Sequence, residues 1–134
     1  WKIVLMHKDP LQYRITNRPD RQEGFSDEGR AWMPLFDEAG IDVVFSAHLH
    51  TYRNRGHIYN EQPDRRGPVY LMFGPAGNER YTVPPDTTFD KVSLDQSAPN
   101  RYRNYMTLTV TPAKLIATCF LEDGSTIDRV TLTK

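Results

Sequence analysis

Ile41-Asp42-Val43-Val44-Phe45-Ser46-Ala47-His48-Leu49-His50 is the stretch whose reading decides the fold. Its first seven residues form an apolar run of strand length and read as a buried strand. The run leads straight into His-x-His. Upstream, Trp1 to Met6 (WKIVLM) is a second such run, also read as a buried strand, and it ends at His7. Between the two, Ser26 is placed to cap a helix whose first turn holds Asp27, Glu28 and Gly29. Trp32, Leu35 and Phe36 fall at i, i+3 and i+4 and read as its apolar stripe, and Gly40 reads as its stop. Strand, helix, strand in this order predicts a parallel crossover unit with both strand ends on one edge of the sheet. Open α/β sheets bind their ligands at that edge. Here it carries His7, His48 and His50.

Working outward, residues Lys8 to Phe25 and Thr51 to Gly67 are polar and without periodicity, and both read as loops. Val69 to Phe73 reads as a third apolar strand, followed by a Gly74-Pro75-Ala76-Gly77 turn. Arg80 to Asn104 reads as irregular. The remainder alternates apolar and polar residues over Tyr105–Thr111, Lys114–Leu121 and Thr126–Thr133, with hairpin turns at Thr111–Ala113 and Glu122–Ser125. The expected class is therefore α/β, a strand-helix-strand unit followed by an antiparallel β-meander.

The 134 residues suit one domain. Lys plus Arg and Asp plus Glu both number 17, a balance unlike the basic excess of a nucleic-acid binder, so no nucleic-acid partner is expected. The single cysteine, Cys119, excludes an internal disulfide framework and a cysteine-rich zinc site, and reads as a packed hydrophobe. No apolar run approaches the roughly 18 residues that suggest a membrane-spanning helix. Because Trp1 opens the chain inside a strand, the expectation is a piece of a longer protein.

Residues two apart in a continuing strand point to opposite faces. His48 and His50 can therefore meet one centre only if the chain leaves strand geometry there, and otherwise they serve two neighbouring centres. Imidazole suits zinc-, iron- and manganese-class ions. With His7 on the same expected edge, three of the four histidines stand where a metal site would be. Asp9 is a candidate for orienting an imidazole from behind, whereas Asp42, early in its strand, reads as structural. His57 is placed to contact substrate or to protonate a leaving group, against the plainer reading of a solvated loop histidine. Arg14, Arg18 and Arg21 offer guanidinium groups to a phosphate, against a plain solvated loop.

These residues carry a resemblance. Met6-His7, Trp32-Met33-Pro34-Leu35-Phe36 and Ile41 through Tyr52 together resemble the carboxyl half of a calcineurin-like metallophosphoesterase, with purple-acid-phosphatase-like members nearest in pattern. The resemblance implies a partial metallophosphoesterase β-sandwich, with residues 1–134 as the carboxyl-terminal portion of that domain and its amino-terminal half absent. It implies His7 and His48 as ligands of one metal ion and His50 as ligand of its neighbour, in a parent that uses two divalent or trivalent ions of the Zn, Fe or Mn class. The parent would hydrolyse phosphate mono- or diesters, and the resemblance points mildly to a periplasmic or secreted location. Ala47 stands where the family usually has Gly, and Arg53 where it often has an acidic residue. The family's Asp-x-Gly or Asp-x-His, Gly-Asp and Gly-Asn-His segments are missing, so the isolated chain is expected to be inactive. Its partners are expected to be a phosphate ester, the missing half-domain and, through an open sheet edge, a second copy. The alternative is a non-catalytic β-rich binding or interaction module with incidental histidines. A third reading, a mononuclear zinc hydrolase, needs a carboxylate such as Asp9 in the ligand set.

Overall fold

A computed structural model describes residues 1–12, 24–75, 77, 88–94 and 102–134. Arg14, Arg18 and Arg21 lie outside the described residues, as do most of 80–104 and Ala76.

The crossover unit forms as expected. Strand β1 (Ile3–Leu5) leads through α1 (Asp27–Ala39) to β4 (Val43–Ser46), and β1 pairs β4 in parallel, Leu5 opposite Phe45. Ser26 caps α1 by accepting the Gly29 N–H at 3.0 Å, and Gly40 ends it in the left-handed conformation at φ 61°. Gly29 lets the helix start press on the chain after His7, because a Cβ there would lie 2.0 Å from the Pro10 carbonyl oxygen. The buried stripe of α1 differs from the expected one. Met33 and Phe36 face the core while Trp32 and Leu35 stay half exposed, because the helix settles with Gly29, Met33 and Phe36 inward.

β1 is also not the buried strand its composition suggests. Among the described residues it is an edge strand paired only with β4, and Leu5 is 76 % exposed. The stretch read as a loop from Lys8 to Phe25 contains two short strands, β2 (Leu11–Gln12) and β3 (Gly24–Phe25), which pair with each other and bury Leu11.

The larger revision is Thr51 to Gly67. This stretch forms β5 (Arg53–Tyr59) and β6 (Gln62–Pro63), joined by a two-residue turn with φ 47° at Asn60 and 61° at Glu61. Positive φ at both turn residues matches the twist of a hairpin. β5 pairs β7 (Val69–Met72) antiparallel, and β7 pairs β4 in parallel, giving the sheet order β1-β4-β7-β5-β6, with β8 (Val92–Ser93) also on β5. The expected meander follows as β9 (Asn104–Val110), β10 (Lys114–Leu121) and β11 (Thr126–Thr133).

Three layers result. Val44, Tyr70 and Ile58 on one face of the mixed sheet pack against Met33 and Phe36 of α1. Val43, Phe45, Val69 and Leu71 on the other face pack against Leu115 and Ala117 of the meander. Alternate residues of β4 thus serve both cores, which is why the strand is buried throughout and reads as a continuous apolar run. Among the described residues no helix is long and apolar enough to cross a membrane.

Candidate metal centre

His7 stands two residues past Leu5, and His48 two past Ser46, at the carboxyl ends of neighbouring parallel strands. The backbone continues the pairing beyond the strands, with the Ala47 N–H donating to the His7 carbonyl at 3.0 Å. The rings meet edge to face, His48 Nδ1 lying 3.1 Å from His7 Nε2. At that distance one ring nitrogen donates to the other, the direction being set by the tautomers.

The chain leaves strand geometry at the two positions where His-x-His demands it. His48 has φ 70° and His50 φ 48°. The Leu49 N–H closes a three-residue turn on the Ala47 carbonyl at 2.8 Å, with His48 at its centre. A left-handed non-glycine residue costs on the order of 1–3 kcal/mol and persists only where its surroundings hold it. Leu49 supplies part of that hold, being buried against Met72. Ala47 is not among the residues with positive φ, so its difference from glycine leaves this turn unaffected.

Burial, followed by the nearby His7, Lys8 and His50 groups, holds the pKa of His48 below the ordinary histidine range. The neutral ring with a free lone pair is the form that ligates metal. An apolar recess of about 280 Å³ opens beside His7, lined by Leu5, Met6, Phe45, Ala47 and Phe73 among others.

Other expected site residues lie elsewhere. His57 belongs to β5 and sits level with Val69 and Val43, at the amino-terminal edge of the parallel strands. His48 lies five residues beyond Val43, roughly 16 Å further along the strand direction at about 3.3 Å per residue. The His57 Nδ1 lies 2.7 Å from the Gly67 carbonyl, and the residue borders a separate cavity of about 360 Å³ with Arg65 and Arg66. The structure does not bring it to the His7–His48 pair. Asp42 accepts the Lys2 N–H at 2.7 Å and faces Lys134, a structural role.

Asp9 is buried. Its carboxylate pairs with Arg55 at 2.5 Å and accepts the Ser46 hydroxyl at 3.2 Å. Burial pushes its pKa up while Arg55 opposes the rise. It is therefore no fourth ligand for a mononuclear zinc site. Among the described residues no three His, Cys, Asp or Glu side chains gather closely enough to hold an ion on their own.

Sequence reading missed the role of Arg53 and Arg55. Both are buried in β5, and both pair with Asp90, at 2.7 and 3.3 Å. On the opposite face of β5, Tyr52 and Asn54 donate to Asp128 of β11 at 2.7 and 2.9 Å. The aromatic residue after His50 thus anchors the turn to the meander.

Comparison with known proteins finds relatives over part of the chain. Purple acid phosphatase 18 of Arabidopsis thaliana is 37 % identical over 79 residues, covering 58 % of this chain. Purple acid phosphatase 23 of the same plant is 45 % identical over 78 residues, and Purple acid phosphatase 22 is 36 % identical over 78. Over that stretch the chain is purple-acid-phosphatase-like. The matched part covers 17 % of Purple acid phosphatase 18 and 16 % of Purple acid phosphatase 23, so the chain spans under a fifth of the length of either relative. No family model matches it.

Proposed function

We propose that residues 1–134 are the carboxyl-terminal portion of a two-metal phosphoesterase domain, with His7 and His48 as ligands of one ion and His50 as ligand of its neighbour. The observation that carries the reading is the 3.1 Å approach of His7 Nε2 to His48 Nδ1 at adjacent parallel strand ends. Two nitrogens sharing one ion at about 2.0–2.1 Å stand about 2.9 Å apart at a right angle and about 3.4 Å apart at a tetrahedral one. The observed spacing falls between, so the pair fits a common ion.

Bound ions of the zinc, iron or manganese class neutralise phosphate oxygens and make water nucleophilic at neutral pH. This chain's contribution is to hold two imidazoles at a fixed separation, with β1 and β4 as their supports. The remaining ligands, including a bridging carboxylate, belong to the amino-terminal half of the sandwich. We place that half against the unpaired edge of β1, with a second copy of this chain as the competing occupant. The parent hydrolyses phosphate mono- or diesters, and the chain alone does not.

The second reading, a non-catalytic β-rich module with incidental histidines, draws on the lack of a three-residue metal cluster among the described residues. Grafting the chain in place of the matching part of Purple acid phosphatase 18 separates the two. Hydrolysis of p-nitrophenyl phosphate by the graft, lost on His48→Ala, supports the phosphoesterase reading. A folded graft with no activity, or one indifferent to His48→Ala, supports the module.

A further inference from the structure

Behind the histidine pair lies a line of buried charge. Arg53, Asp90, Arg55 and Asp9 form consecutive ion pairs at 2.7, 3.3 and 2.5 Å, and no side chain among them is more than 4 % exposed. A buried ion pair rarely adds net stability over an apolar pair of the same volume. What this one specifies is therefore the question.

Its position answers. Asp9 lies two residues after His7, and Ser46 two residues before His48. The Ser46 hydroxyl donates to Asp9 Oδ1 at 3.2 Å, while Arg55 holds the other carboxylate oxygen. This joins the two strand ends just beneath the rings, alongside the backbone bond from Ala47 to His7. Asp9 is itself fixed from the helix side, because the Ser26 hydroxyl donates to its carbonyl at 2.8 Å. The positive φ at His48 and His50 needs such a hold, since strained backbone persists only where its surroundings over-determine it.

We propose that Asp9, gripped by Arg55 and bonded to Ser46, is a positioning residue that sets the separation of His7 and His48 by locking the two strand ends together. It acts through the backbone and touches neither ring. The inference rests on the reading of this pair as a metal half-site, and its test separates the two.

On the intact chain, Co²⁺ affinity is measured by visible absorption for the wild type, Ser46→Ala, Asp9→Asn and Ser46→Thr. Val44→Ala serves as a destabilised control outside the ion-pair line, and near-UV circular dichroism checks the fold. Ser46→Ala and Asp9→Asn lose affinity about tenfold, as outer partners of metal ligands do. Ser46→Thr restores it, and Val44→Ala binds as the wild type does. A metal-free readout runs beside this: the nitrogen–nitrogen NMR coupling across the His48 Nδ1 to His7 Nε2 hydrogen bond, present in the wild type and lost in Ser46→Ala. Unchanged affinity and coupling in a folded Ser46→Ala overturn the proposal, as does an equal loss in Val44→Ala. If Asp9→Asn fails to fold, Ser46→Ala decides. If the wild type binds no Co²⁺, or His48→Ala binds it equally, the metal reading fails and the coupling alone decides. Its loss in Ser46→Ala then upholds the positioning role, and its persistence there, or its absence from the wild type, overturns it.

Discussion

The meander and the histidine edge are both made of strands, yet they are held in different ways. β9, β10 and β11 pair with their neighbours in sequence through tight turns, and their inward residues Leu115, Ala117 and Cys119 alternate with more exposed ones. The histidine edge joins segments some forty residues apart, since β1 meets β4 across the helix. It carries two left-handed histidines and buried ion pairs that include Arg55 and Asp9. A local ladder with an apolar inner face tolerates change on its outer face. An edge built on long-range polar contacts loses its geometry when one partner goes. The comparison sets a sheet held by its neighbours in sequence against an edge held by distant polar partners.

The largest effect that sharpens the contrast belongs to Asp9→Ala. The change removes the closer of Arg55's two buried carboxylate partners and leaves Asp90 at 3.3 Å, and the expected loss is about 3 kcal/mol in urea unfolding. A loss below about 1 kcal/mol, the range of an exposed pair, breaks the comparison. Next comes Gly29→Ala. Its Cβ meets the Pro10 carbonyl oxygen at 2.0 Å, so the helix start must retreat from the chain after His7, at about 1–3 kcal/mol. In the meander, Thr109→Ala on the exposed face of β9 changes stability by no more than about 0.5 kcal/mol.

Two chemical tests follow the same line. Burial pushes the Cys119 thiol up to about 12, so iodoacetamide at pH 8 leaves it intact in the folded chain and labels it in urea. Rapid labelling of the folded chain would mean that the meander core is open. His48 titrates in the other sense. Its folded pKa lies below the ordinary 6.5, so around that pH the unfolded chain takes up the proton and the folded chain does not. Its contribution to stability is full above pH 6.5 and is lost as pH falls through the depressed value. Urea unfolding across that range, compared with His48→Gln, isolates the effect, and an identical pH dependence in the two proteins contradicts it.

Much of this was legible in the sequence, and the reason is local chemistry. Ser26 and Gly40 mark the ends of α1 by capping preferences that act within one turn. Val43 to Ser46 declares itself because both of its faces are buried. The meander declares itself by alternation. What stayed hidden depends on distant partners. Arg53 and Arg55 look like a solvated loop, because their counter-charges Asp90 and Asp9 are far away in sequence. A register shift between Asn54 and Gly56 further scrambles the period-2 signal, moving Ile58 onto the helix-side face. Trp32 and Leu35 read as core because spacing gives a stripe without saying which stripe turns inward. The positions of His7 and His48 were legible from strand ends, but the turn that aims His48 was not.

The central claim is that His7 and His48 form a prepared half-site for metal. Equilibrium dialysis of the purified chain against zinc or manganese, with elemental analysis of both compartments, tests it most directly, with His48→Ala alongside. The account predicts about one ion per wild-type chain at the weak affinity of a two-imidazole half-site, and none in His48→Ala. A wild-type chain that holds no ion, or a variant that retains one, contradicts it.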